Sequence, residues 1–182
     1  AAVAVSYALA VTHPQAGNIG GGGFMLIHMA DGQKVAIDYR EMAPGQAHRD
    51  MFLDDSGKVV PQLSVRGGLA VGVPGTVAGL QLALDKHGSM ERKKVMKPAI
   101  KLAQKGFTIP YDLAYSFGWL NKAAEGFDET RRIFCRDGEI YMPGETFKQP
   151  DLAKTLKLIQ KKGNAGFYTG PVAEAMVKSS SK

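Results

Sequence analysis

Arg40 is the residue of this 182-residue chain whose setting most clearly implies chemistry. It stands in the run A-I-D-Y-R-E-M-A-P, between Asp38 and Glu41, just past a stretch with strand character. A guanidinium offers a planar fork of donors that fits a carboxylate bidentately, which the point charge of lysine cannot do. Asp38 and Glu41 admit two compatible readings: internal ion pairs with Arg40, or carboxylates that orient its guanidinium toward a ligand. Upstream lie four consecutive glycines, Gly20 to Gly23. Glycine loses more backbone entropy on folding than any other residue. A run of four is therefore expected where side chains would clash or φ must be positive. We expect these glycines to pack backbone closely at the base of a central strand, with Arg40 aimed from the other end of the same hairpin.

No cluster of residue types in this chain completes an active site. A P-loop would need a Gly-Lys-Ser/Thr triplet, which does not occur, and a dinucleotide fingerprint needs strand, glycines and then helix. Here the order is helix, glycines, strand, so no helix dipole follows the turn to hold an anion. The four histidines (His13, His28, His48, His87) are scattered without metal-ligand spacing, and no metal or cofactor is expected. His28 falls within a strand pattern and reads as a core or edge residue. The single cysteine, Cys135, has no histidine near it in sequence and reads as a packing residue. Gly-x-Ser-x-Gly is missing.

The elements that must position Arg40 follow from periodicity. Ala1 to Val11 is apolar nearly all round and predicts a helix buried on most sides, stopped at His13-Pro14. Phe24 to Met29 and Lys34 to Tyr39 predict two strands joined at Asp31-Gly32, a strong hairpin signal. The first is apolar on both faces, as in a covered central strand. Helices are expected over Thr76 to His87, Met90 to Lys105 (divided or restarted at Pro98), Pro110 to Leu120 and Asp151 to Lys162, with a last one from Pro171 ending in S-S-S-K. A small hairpin is expected over Ile133 to Met142, around Asp137-Gly138. Two strands early and helices thereafter cannot make a complete sheet, since a lone hairpin is marginal. The rest of the sheet must come from elsewhere. We therefore expect exposed apolar surface on the Phe24 to Ile27 strand and the first helix, and a fragment prone to aggregate without its complement.

Bulk composition is that of a soluble globular protein, 45% hydrophobic and 22% charged, and the length suits one domain. The net charge of +6 raises nucleic-acid binding. The lysines, however, fall at helical spacing among apolar positions (Lys93, Lys94, Lys97, Lys101, Lys105, then Lys154, Lys157, Lys161, Lys162), as on solvated helix faces. No nucleic-acid partner is expected, and no run is long enough for a membrane span. The chain opens inside a helix, which suggests that something upstream has been removed.

Several ordered blocks carry a resemblance. H-P-Q-A-G-N-I-G-G-G-G-F-M-L-I, A-I-D-Y-R-E-M-A-P and R-D-M-F-L-D-D are followed by G-V-P-G-T-V-A-G-L, K-P-A-I-K-L-A-Q-K-G-F, D-L-A-K-T-L-K-L-I and G-F-Y-T-G-P-V-A-E. In this order, over nearly the whole chain, they closely resemble the large subunit of bacterial γ-glutamyltranspeptidases. The resemblance implies an α+β fold: part of an αββα N-terminal nucleophile hydrolase sandwich, mostly helical with an early β-hairpin, residues 1–182 being a single partial domain. It implies a precursor that cuts itself into large and small subunits, with the small subunit's new N-terminal threonine as nucleophile. No catalytic residue is then expected in this chain, which would be inactive alone. Arg40 maps onto the arginine that grips the α-carboxylate of the glutamyl group.

The implied activity is cleavage of γ-glutamyl amides such as glutathione, with transfer of the acyl group to water, an amino acid or a peptide. The implied partners are those γ-glutamyl compounds and the small subunit from the same precursor. The implied location is periplasmic or secreted. The chain stops at Lys182, short of the family's cleavage site, as a natural or cloned fragment or a proteolytic piece would. Two rivals remain: a β-lactam side-chain acylase of the same superfamily, and a truncated non-catalytic interaction module.

Overall fold

The computed structural model describes residues 1–180, apart from the side chain of Lys122. In chain order it contains α1 (Ala2–Thr12), β1 (Phe24–His28), β2 (Lys34–Asp38), a 3-10 turn (Gly68–Ala70), α2 (Thr76–His87), α3 (Arg92–Lys105), β3 (Phe107–Thr108) and α4 (Tyr111–Ala123). Then come α5 (Asp128–Phe134), β4 (Cys135–Arg136), β5 (Glu139–Ile140), β6 (Thr146–Phe147), α6 (Pro150–Lys162), α7 (Ala165–Tyr168) and α8 (Pro171–Ser180). The fold is α+β, mostly helical with an early hairpin. Among the described residues the three sheets are all two-stranded and antiparallel: β1 with β2, β3 with β6, and β4 with β5. The chain divides into two compact units.

The first unit joins Ala1–Asn18 to Met90–Lys157. Helix α1 packs along α3, with Val3, Tyr7, Ala10 and Val11 buried, but Val5 and Leu9 reach solvent. Pro98 lies inside α3 without dividing it. The buried Gln149 ties this pair to the loop before α6: its Nε2 donates to Val11 O at 2.8 Å and its backbone N–H to Ala103 O at 2.9 Å. A second apolar cluster gathers Ile109, Leu113, Phe117 and Phe147 with Phe107, Phe134 and Tyr141 around them. Phe147 lies at its centre, with ring centroids of Phe117 and Tyr141 at 5.2 and 5.1 Å. Aromatic pairs tilted edge to face in this way add to the energy of simple burial. The expected hairpin at Asp137-Gly138 forms, with both residues at positive φ, but it is shorter than expected, Ile133 and Phe134 belonging to the end of α5.

The second unit joins Ile19–Ser89 to the segment from Leu158 onward. Its core is built from Ile37, Val77, Leu80, Ala83, Ile159 and Phe167. Strands β1 and β2 pair from Phe24↔Asp38 to His28↔Lys34 around the Asp31-Gly32 turn. Their inner side sends Met25, Ile27, Val35 and Ile37 inward, while Phe24 (65% exposed), Leu26 (86%) and His28 lie on the open face. The expectation of a strand covered on both faces thus fails for the described residues, and the expected exposed apolar surface is present. The last helix, α8, is as expected to Ser180; the remaining Ser181 and Lys182 of the S-S-S-K end lie outside the described residues.

Two kinds of element leave no signal in the sequence. The two-residue strands β3 and β6 pair over a separation of about forty residues, which no local period reveals. Helices α5 and α7 span only 7 and 4 residues, too few turns to establish a stripe.

A candidate carboxylate-binding site at Arg40

An antiparallel hairpin returns its second strand to where the first began. The glycine run and Arg40 therefore share one end of the hairpin, not opposite ends. Gly23 and Tyr39 exchange backbone hydrogen bonds (Gly23 N–H to Tyr39 O at 3.3 Å, Tyr39 N–H to Gly23 O at 2.9 Å). One step further out, Gly22 lies against Arg40. A Cβ on Gly22 would stand 2.6 Å from Tyr39 O, 2.7 Å from Glu41 N and 2.8 Å from Arg40 Cα. Such distances are inside van der Waals contact with backbone that cannot swing away.

Gly75, at the entry to α2, closes on the same segment from another direction: a Cβ there would strike Tyr39 O and stand 3.0 Å from Arg40 O. The backbone of Arg40 is clamped between two glycines. The glycine run also meets a helix N-terminus, though not as a free anion site. The N–H groups of Gly75 and Thr76 both donate to Gly21 O, at 2.9 and 3.0 Å. That carbonyl satisfies two of the donors a helix start leaves unpaired.

Helix α2 is itself held in place by Tyr168 of α7. The Tyr168 hydroxyl donates to Pro74 O at 2.8 Å and accepts Ala78 N–H at 3.2 Å. Burial pushes its pKa up, against a smaller lowering from the Ala78 N–H. The blocks G-V-P-G-T-V-A and G-F-Y-T-G, some ninety residues apart in sequence, are thus one assembly behind Arg40.

The Arg40 side chain leaves this frame for the open face. Asp38 does not pair with the guanidinium: its Oδ1 accepts the backbone N–H of Arg40 at 3.0 Å, fixing the turn out of β2. Among the described residues, no carboxylate makes an ion pair with Arg40. The guanidinium instead stands over the ring of Phe24, with Cζ 5.9 Å from the centroid. Such a side chain keeps its N–H donors available for a carboxylate from outside.

The other residues singled out in the sequence lie elsewhere. His28 closes the far end of β1 opposite Lys34. Cys135 is half-buried in β4, with its Sγ 3.5 Å from Asn121 Oδ1, in keeping with a packing role. The nine helix lysines are all exposed, as solvated faces require. Among the described residues, no three His, Cys, Asp or Glu side chains converge as a metal site. No helix there is long and apolar enough to cross a membrane.

The mixed helix-and-strand fold is that of the N-terminal nucleophile hydrolases. The family model described as Gamma-glutamyltranspeptidase matches residues 1–182, and the chain belongs to that family. The glutathione hydrolase proenzyme of Escherichia coli is 49% identical over 185 residues, covering 100% of this chain and 32% of the relative. The crystal structure of Helicobacter pylori gamma-glutamyltranspeptidase superposes with a TM-score of 0.94 at 47% identity, over 97% of this chain and 51% of that one. A cephalosporin acylase from Bacillus halodurans superposes with a TM-score of 0.83, but at 21% identity, over 97% of this chain and 34% of that one. That likeness concerns the fold alone. The chain spans about a third of the length of the curated relatives it matches.

Proposed function

We propose that this chain is the scaffold and carboxylate-binding part of a γ-glutamyltransferase or glutathione hydrolase, one portion of a larger catalytic domain. The observation that carries the proposal is the Arg40 guanidinium, exposed and without an internal carboxylate, on a backbone clamped by Gly22 and Gly75. In this reading Arg40 takes the α-carboxylate of a γ-glutamyl group through two parallel charge-assisted hydrogen bonds. The grip fixes the distance from that carboxylate to the scissile γ-amide, and orientation of this kind is a large source of rate.

The chemistry itself belongs to the remaining two thirds of the protein. There an N-terminal threonine hydroxyl attacks the γ-carbonyl while its own α-amino group takes the proton. The amide C–N bond breaks, the leaving amine receives the proton, and the glutamyl group remains as an ester. Water or an amino acid's amine then attacks that ester and releases the threonine. Glutathione and related γ-glutamyl amides are the substrates this reading implies, the small subunit is the partner, and the periplasm or exterior is the place.

Turnover of γ-glutamyl-p-nitroanilide by the complete enzyme tests the reading. Arg40→Ala is expected to lower kcat/KM by roughly a hundredfold or more, since two charged hydrogen bonds are lost. Arg40→Lys is expected to recover only part, because lysine cannot bind bidentately. Near-normal kcat/KM in Arg40→Ala would refute the assignment.

A further inference from the structure

Clamping a backbone does not fix an arginine side chain. Four rotatable bonds separate Cα from the guanidinium, and their freedom amounts to about 2 kcal/mol of entropy. Something on the open face has to hold the cation if it is to meet a substrate carboxylate in one place. A neighbouring carboxylate would do so at the cost of occupying the donors and neutralising the charge. Asp38, the nearest candidate in sequence, is turned instead onto the Arg40 backbone N–H.

The residue that meets the cation is Phe24. It stands directly across the ladder from Asp38, one step inside the Gly23–Tyr39 pair that anchors the Arg40 turn. The strand alternation that buries Met25 and Ile27 sends Phe24 to the open face. Its ring lies under the guanidinium at 5.9 Å, within the range of a cation–π interaction. A ring attracts the cation through its quadrupole and accepts no conventional hydrogen bond, so all five N–H donors remain for a ligand. Phe24 is 65% exposed and no part of the described core.

We propose that Phe24 is a positioning residue for carboxylate recognition, holding the Arg40 guanidinium in its binding pose from beneath. The inference rests on Arg40 being the carboxylate clamp. Because Phe24 acts through Arg40 and not on the reacting atoms, its loss weakens substrate binding and leaves the chemical step intact.

A double-mutant cycle in the complete enzyme, with γ-glutamyl-p-nitroanilide as substrate, separates the two ideas. Phe24→Leu is expected to raise KM about three- to tenfold, with kcat within about twofold of the parent. Phe24→Tyr, which keeps the ring, is expected to restore the parental KM. In the Arg40→Ala background, Phe24→Leu is expected to add no further loss. A parental KM in Phe24→Leu, or an equal penalty with and without Arg40, would overturn the proposal while leaving the clamp in place. An unchanged KM and kcat in Arg40→Ala would instead overturn the clamp itself. Thermal melts check folding, and should Phe24→Leu fail to fold, Phe24→Met carries the same comparison at similar volume.

Discussion

Gly22 lies directly against the Cα of Arg40, so close that even a methyl group would stand 2.8 Å from it. This contact gives the four-glycine run its meaning. The run seats the arginine turn, with Gly75 closing from the α2 side. Gly22→Ala is the first test. Its three clashes are all with backbone, so the Tyr39–Glu41 segment has to shift, at an expected cost of about 1–3 kcal/mol. Differential scanning calorimetry of the complete protein should report a lower Tm. Activity should fall further than stability alone explains, because the displaced segment carries Arg40.

Tyr168 should matter for the same segment without touching it. Replacing it by Phe keeps the ring but leaves Pro74 O and Ala78 N–H without their partner. Partly buried groups deprived in this way cost about 1–3 kcal/mol. The expected result for Tyr168→Phe is a lower midpoint in urea with an unchanged slope. A midpoint equal to the parent's would mean that water replaces the hydroxyl.

The aromatic cluster of the first unit predicts a larger effect. Phe147 is fully buried and is ringed by Phe107, Phe117, Phe134 and Tyr141. Phe147→Ala removes both its burial and the support it gives its neighbours. The expected loss is about 3–5 kcal/mol, measured by equilibrium denaturation, with Phe147→Leu losing much less.

Acid should weaken the same unit. Glu145 is held below its ordinary value of 4.5, first by the Met142 backbone N–H and then by Arg136. Asp151 is lowered by Lys154 and Arg132, and Glu129 by Arg132. A carboxyl whose folded pKa is depressed adds stability above its unfolded pKa and loses it as pH falls through the folded one. Melting temperature is therefore expected to decline as pH drops below about 4.5, the carboxyls' usual range. Glu145→Gln should melt lower than the parent at pH 7, and the two should converge in strong acid.

Much of this architecture was legible in the residues. Asp31-Gly32 marked the hairpin turn, and the apolar spacing of α2, α3 and α6 marked those helices to within a residue or two. The register was legible as well. Counting back from the turn puts Phe24 across from Asp38, and hence Gly22 across from Arg40. Reading the hairpin as a line rather than a fold placed them at opposite ends. What could not be read was the closure on Arg40 from α2 and α7. Gly75 meets the Tyr39–Arg40 backbone, and the Tyr168 hydroxyl bonds the Pro74 and Ala78 backbone behind it, across long separations of which composition and period carry no trace. The Phe24 ring under the guanidinium was hidden for a related reason. An apolar residue in an apolar strand reads as core until its face is known.

The most direct test of the clamp is discrimination between a γ-glutamyl anilide and its α-carboxamide, which differ only in the charge and the second oxygen that Arg40 would bind. The complete parent enzyme is expected to prefer the carboxylate by roughly a hundredfold or more in kcat/KM, the value of charged hydrogen bonds in such a site. In Arg40→Ala that preference should collapse to within a few fold, chiefly through loss of the carboxylate substrate. An Arg40→Ala enzyme that still preferred the carboxylate as strongly as its parent would contradict the account.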